Sequence, residues 1–162
     1  MRKKGEQMNR GIRFEIPNTY GRFLGEILKP MEVYNFDWFI GGEESYFIEG
    51  DTLGNDLFPD MIIGMSGDEL QKLIDTNEYY LIFANLKAFP KGTQITDVIT
   101  YEDYMLSDCQ MVLLVIDSIY VTVYCKDLEK VEKLYNHINR QGFESLEYLT
   151  DENDTRTELS VW

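Results

Sequence analysis

The chain is poor in the residues that most recognisable chemistry depends on. It has one histidine, His137, and two cysteines, Cys109 and Cys125. One histidine excludes the common histidine-rich metal sites, and two distant cysteines make no zinc pattern. The twelve glycines form no phosphate-cradling loop and no dinucleotide fingerprint, and no serine sits in a Gly-x-Ser-x-Gly elbow. No apolar run reaches the ~20 residues that a membrane-crossing helix needs. Met1–Gln7 is polar and leads into no apolar segment of the kind a secretory signal carries. Basic residues are also scarce: 15 Lys and Arg stand against 29 Asp and Glu, a formal net charge of −14. Such a field repels nucleic-acid phosphates and anionic membranes, so neither is expected as a partner, and it favours basic ones. A cytoplasmic location is the expectation. Thiols stay reduced there, so Cys109 and Cys125 are expected as two buried free thiols. No cofactor is expected, and the oligomeric state stays open.

What is present suffices for a core. The 162 residues are 44% hydrophobic and 14% aromatic, which suits one domain with one core. Its centre is Gln110–Cys125. Met111–Ile116 is apolar throughout, as in a strand covered on both faces. Ile119, Val121, Val123 and Cys125 alternate with Tyr120, Thr122 and Tyr124, the period of a half-buried strand. Asp117-Ser118 supplies the turn. Residues 1–7 read as a flexible leader and 8–162 as the domain.

Along the chain, Ile12, Phe14 and Ile16 alternate as a first strand with one wet face. Tyr20, Phe23, Leu24, Ile27 and Leu28 form a helical stripe that Asn18 or Thr19 can cap, and Gly21 and Gly25 within it suggest close packing on a strand. Asn35–Ile40 and Ser45–Glu49 read as a hairpin, and Gly50–Asp60 as a loop with Leu57 and Phe58 tucked inward. Ser66-x-x-Glu69 is the spacing of a capping box and starts a helix over 67–76. Tyr79–Leu86 reads as one strand. A short helix begins at Thr100, a longer one runs from Asp127 to Gly142 with stripe Leu128, Val131, Leu134, Tyr135 and Ile138, and strands follow at Phe143–Leu149 and Glu158–Trp162. His137 is expected to be partly exposed. The fold class is α+β, with an antiparallel or mixed sheet of about six to eight strands and three or four helices mainly on one face. Ile119–Leu149 is a β-α-β unit whose strands can be parallel.

Two stretches draw functional attention. Gly41-Gly42-Glu43-Glu44 looks like the turn motif of diguanylate cyclases, whose Gly-Gly-acid-acid hairpin holds metal and nucleotide phosphate. Ser45 replaces the expected aromatic and no other position matches, so Glu43 and Glu44 read first as turn residues. Asp151-Glu152-Asn153-Asp154-Thr155-Arg156 begins like a calcium loop but lacks its glycine and closing glutamate. This dense polar turn, with Trp162 nearby, is the best candidate for a functional loop, and Arg156 pairing with Asp151 or Asp154 is its default structural reading. The candidate binding residues are therefore Asp151, Glu152, Asp154, Arg156, Trp162, Glu43 and Glu44.

Met8-Asn9-Arg10-Gly11-Ile12, then Phe14-Glu15-Ile16-Pro17-Asn18, Tyr20-Gly21, Glu26-Ile27-Leu28, Trp38 and the terminal Leu159-Ser160-Val161-Trp162, resemble a domain-of-unknown-function family of small proteins from bacilli. The resemblance runs from Met8 to the end. It implies no activity and assigns no site residue. The residues themselves point to a non-catalytic binding domain that meets a basic protein, in the manner of an immunity or inhibitor protein, through an acidic surface with eleven tyrosines in the chain. The rival is a small-molecule binder or carboxylate-dependent enzyme with a pocket between sheet and helices.

Overall fold

A computed structural model describes residues 9–41, 44–58 and 60–161. The expected leader, Gly42, Glu43 and Trp162 lie outside them. Among the described residues the chain is α+β and its sheets are antiparallel throughout. In chain order the elements are β1 (Asn9–Glu15), α1 (Phe23–Leu28), β2 (Phe36–Ile40), β3 (Ser45–Glu49), β4 (Thr52–Asp56), β5 (Ile62–Ser66), α2 (Gly67–Thr76), β6 (Tyr79–Leu81), β7 (Ala84–Pro90), α3 (Tyr101–Leu106), β8 (Met111–Ile116), β9 (Tyr120–Cys125), α4 (Leu128–Gln141) and β10 (Glu144–Thr150). Seven strands form one sheet in the order β10-β1-β9-β8-β7-β2-β5, and a smaller sheet has the order β4-β3-β6.

The central hairpin forms as its pattern demands. Met111 faces Cys125 and Ile116 faces Tyr120. Asp117 and Ser118 turn the chain with φ of 52° and 66°, and Ile119 N–H donates to Ile116 O at 3.3 Å. Left-handed residues at both central positions match the twist of the flanking strands. Cys109 and Cys125 are both buried and free.

The large sheet separates two cores. On one face lie α1, α2 and α4, which press Leu24, Ile27, Leu70, Ile74, Leu134 and Ile138 onto the strands. The other face is covered by the segment holding α3 and by the C-terminal segment, through Val98, Tyr104, Leu159 and Val161. Three of the four helices thus share one face. The helix starts follow local chemistry. Ser66 Oγ accepts from Glu69 N–H, Thr100 Oγ1 from Asp103 N–H, and Asp127 from Glu129 and Lys130 N–H, each satisfying donors that the first turn leaves unpaired. Gly142 closes α4 in the left-handed conformation.

Several expectations need correction. Residues 35–40 and 45–49 are not hairpin partners: β2 pairs with β5 and β7, whereas β3 pairs with β4 and β6. Apolar alternation fixes a strand's faces but not its neighbour. The run Tyr79–Leu86 is two strands, because Ile82 and Phe83 both donate to Glu44 O and the chain changes sheets there. The presumed 50–60 loop contains β4, though Leu57 and Phe58 are buried as expected. Strand β5 was not expected. Helix α1 begins at Phe23 behind Arg22, which offers no side-chain cap. Gly21 instead exchanges two backbone hydrogen bonds with Tyr79. Gly25 packs against α2 and not a strand, since a Cβ there would sit 2.4 Å from Asp75 Oδ1 and 2.9 Å from Ile74 O. Of the terminal strand only a bridge, Thr100 to Glu158, is seen. Strands β9 and β10 do run parallel, but β1 lies between them, antiparallel to each. His137 is buried, and its Nε2 meets Glu26 O at 2.6 Å. It thereby serves a carbonyl in the last turn of α1, one of those a helix end leaves unpaired.

Candidate functional site

The polar loop after β10 is built by its own side chains. Asn153 Oδ1 accepts from Thr150 N–H at 2.8 Å, and Asn153 Nδ2 donates to Tyr148 O at 2.9 Å. That closed turn delivers Asp154 to the face of the sheet opposite α1, α2 and α4. There Asp154 Oδ2 accepts from the Tyr124 hydroxyl at 2.8 Å and from Arg10 at 3.4 Å. Asp151 accepts from Arg10 Nε at 3.1 Å. Arg10 also lies over the Tyr101 ring, 4.2 Å from its centroid.

Strand β1 positions Arg10 by an irregularity. Its pairing with β10 shifts register between Asn9 and Gly11, and a bulge of this kind re-aims a side chain. Gly11 lets β9 approach, since a Cβ there would fall 1.8 Å from Val123 O.

The electrostatics follow from partial burial among opposite charges. Burial works against the Arg10 guanidinium, but its hydrogen bond to Asp151, with Asp154 near, outweighs this and holds its pKa above the ordinary arginine value. Burial first, then the Asp154 carboxylate, pushes Tyr124 well above the usual phenol range. Burial likewise raises Tyr101, against the opposing pull of Arg10. The phenols stay protonated and Tyr124 remains a donor.

The loop reads chemically as a latch in which opposite charges answer one another. Arg156 meets Asp154 through its backbone N–H, which donates to Asp154 Oδ1 at 3.3 Å, and not through its side chain. Its guanidinium donates to Ser160 O at 3.1 Å and Glu158 O at 3.5 Å, holding the chain end in a curve. Glu152 is exposed. Glu44 is exposed at the start of β3, in the other sheet, so the structure does not gather it with the loop. Glu43 and Trp162 lie outside the described residues. Replacing Asp154 by alanine strands the buried Tyr124 hydroxyl and one side of Arg10. It is expected to cost ~2 kcal/mol, or a melting temperature lowered by about 4–8 °C. Tyr124→Phe leaves the Arg10 contacts in place and should cost about 1 kcal/mol. Thermal unfolding of both variants checks the order.

Sequence reading passed over Arg10, and also the most buried charge observed, Lys87. It sits in β7 with 1% exposure, and its ammonium has three acceptors: Asp97 Oδ1 at 2.7 Å, Val98 O at 2.9 Å and Leu159 O at 3.0 Å. The signal was there to find: a lone lysine between Leu86 and Ala88 in a run with no wet face.

Beside the latch, a cleft of about 590 Å³ opens over β10, β1 and β9, lined by Arg13, Glu15, Tyr120, Thr122, Glu147 and Arg156. Arg13 is ion-paired across the strands to Glu147. A second cleft of about 360 Å³ lies between α1 and α2, with Arg22, Glu26 and Asp75 at its walls. Among the described residues no three His, Cys, Asp or Glu side chains converge as a metal site would require, and no helix is long and apolar enough to cross a membrane.

A family profile described as "Protein of unknown function (DUF2691)" matches residues 9–160. The chain is 46% identical over 154 residues to "Uncharacterized protein YncE" of Bacillus subtilis (strain 168), an alignment covering 95% of this chain and 100% of that protein. No solved structure matches the chain.

Proposed function

The chain belongs to the DUF2691 family of proteins of unknown function, and we propose that it acts as a non-catalytic binding domain whose acidic surface engages a basic protein in the cytoplasm. One observation carries the reading: among the described residues no aspartate or glutamate is buried as a whole residue, and the acid whose side chain is withdrawn from water, Asp154 at 7% exposure, is answered by Arg10 and the Tyr124 hydroxyl. The buried polar side chains are Ser45, Asn85, Lys87, Ser118, His137 and Thr150. A carboxylate-dependent active site needs acids withdrawn from water so that their proton affinities part. Apart from Asp154, whose charge Arg10 neutralises, the acids stay at or near the surface, where their summed field steers a cationic partner and speeds its arrival.

The tyrosines contribute less to that surface than their number suggests. Tyr79, Tyr104 and Tyr124 are buried, and Tyr20, Tyr34 and Tyr120 are exposed. The space between sheet and helices, where the rival reading wants a pocket, is filled by the apolar side chains of the first core. Masking a cationic toxin or nuclease is one form that the proposed role can take.

The test is capture on the immobilised protein from lysate of the source cell at low salt, followed by a salt step. The expected result is one or a few basic proteins, retained stoichiometrically and released as the screening length falls below ~10 Å near 0.1 M. Retention of no basic protein, or retention indifferent to salt, overturns the reading. A thermal shift with a metabolite or divalent metal in place of a protein partner favours the rival.

A further inference from the structure

The large sheet has two edges, and they are guarded very differently. At one edge β10 carries Glu144 and Glu147, breaks register with β1, and holds Ser145 in the left-handed conformation at φ 57°. Charges and irregular backbone of this kind discourage another strand from adding on. At the other edge, β5 (Ile62–Ser66) has no charged residue, and its own irregularity, a register shift against β2 with Gly64 at φ 92°, falls after Ile63 and leaves the Met61–Ile63 stretch regular. Ile63 is 60% exposed and the preceding Met61 59% exposed. Strand β5 pairs with β2 on one side. Among the described residues, 60–65 make no backbone hydrogen bond to a turn or loop outside that ladder. Ile95 extends the apolar surface: its Cδ1 would lie 3.8 Å from a Cβ placed on Gly64. Acids stand at both ends of the strand, Asp60 before it and Asp68 and Glu69 after it, all exposed.

We infer that the outer edge of β5, chiefly at Met61–Ile63 ahead of the Gly64 irregularity, docks an extended segment of the basic partner as an added strand. The inference rests on the binding-domain reading above and gives it a place and a mode. Free backbone groups supply the ladder, Met61, Ile63 and Ile95 receive alternate apolar side chains, and the flanking acids select Lys or Arg beyond them. The same acids disfavour a second copy of the chain, because antiparallel pairing of β5 with β5 brings Asp60 of one copy towards Asp68 and Glu69 of the other.

The probes are a decapeptide of alternating lysine and valine, the same peptide with alternate amides N-methylated, and an alternating lysine–glycine peptide of equal charge. Binding is read by titration calorimetry and by amide hydrogen exchange. The lysine–valine peptide should protect amides of β5. A Met61→Gln, Ile63→Gln double variant, which leaves the charge unchanged, should bind it at least about tenfold more weakly, a loss of ~1.4 kcal/mol. N-methylation should abolish binding, and Glu144→Gln at the guarded edge should change it less than about twofold. Equal affinity for the lysine–glycine peptide, or no effect of the double variant, overturns edge docking while salt-sensitive cation binding still stands. Failure of every peptide to bind overturns edge docking, while the binding-domain reading stands or falls with the lysate capture. A dimer in light scattering that the double variant dissociates replaces the basic segment with a second copy.

Discussion

Lys87→Met is expected to lower stability by about 3–5 kcal/mol, chiefly because two buried carbonyls are left without their donor. At ~2–4 °C per kcal/mol for a domain of this size, the melting temperature falls by about 6–20 °C. Methionine fills a similar volume, so the loss isolates the ammonium. Without it Val98 O and Leu159 O lose a donor in a dry place, at ~1–3 kcal/mol each, and Asp97 loses its partner. These acceptors come from two separate chain segments, both laid over the same face of the sheet. Lys87 therefore fastens both segments to β7, and hydrogen exchange around Val98 and Leu159 should accelerate in the variant. Asp97→Asn is the contrasting case. The Asp97 side chain is 42% exposed, and the two carbonyls keep their donor, so the expected cost is about 1 kcal/mol. Equal losses in the two variants would locate the stabilisation in the ion pair and not in carbonyl capture.

A loss of comparable size is expected in alkali without any mutation. Burial pushes the Cys109 thiol from an ordinary 9.0 up to about 12 and the Cys125 thiol up to about 11. The unfolded chain gives up both protons near the ordinary value while the folded chain retains them. Their contribution is therefore complete below pH 9 and is lost as pH rises towards the folded values. Each thiol removes ~1.4 kcal/mol per pH unit over that window, so the pair removes about 5 kcal/mol by pH 11. That rivals the whole stability of an ordinary domain, ~5–15 kcal/mol. Tyr79, Tyr104 and Tyr124, all raised chiefly by burial, act in the same direction but start from an ordinary value of 10.0. Urea midpoints measured between pH 8 and 11 should fall from about pH 9. In a Cys109→Ala, Cys125→Ala double variant the fall should begin about one unit later. Coincident curves for the two proteins would show that thiol burial is not the cause.

What could be read in advance was whatever local chemistry decides. Ser66 and Glu69 start α2 because the first turn of a helix needs an acceptor, and Asp127 and Gly142 bound α4 by the same logic. Met111–Ile116 has no polar face, so it had to be a central strand. Partner choice was not legible, because the residues of β2, β3 and β5 suit several neighbours equally well. Neither was the division of Tyr79–Leu86. Ile82 and Phe83 resemble the strand residues around them, and what separates the two strands is a pair of hydrogen bonds to Glu44 O, thirty-eight and thirty-nine positions earlier. At the candidate loop the acids were visible, and their answering cation was expected from within the loop at Arg156. It came instead from Arg10 at the other end of the chain, joined by pairing between the first and last strands.

That pairing has a consequence for synthesis. Strand β1 is made before the other strands of its sheet, yet among the described residues its ladder partners are β9 and β10: Gly11 waits for Tyr124 on one side and Leu149 on the other. The large sheet cannot close around β1 until β10, the last of its seven strands in chain order, has been made. Until then the apolar side of that strand, Ile12 and Phe14, is a surface for chaperones to hold.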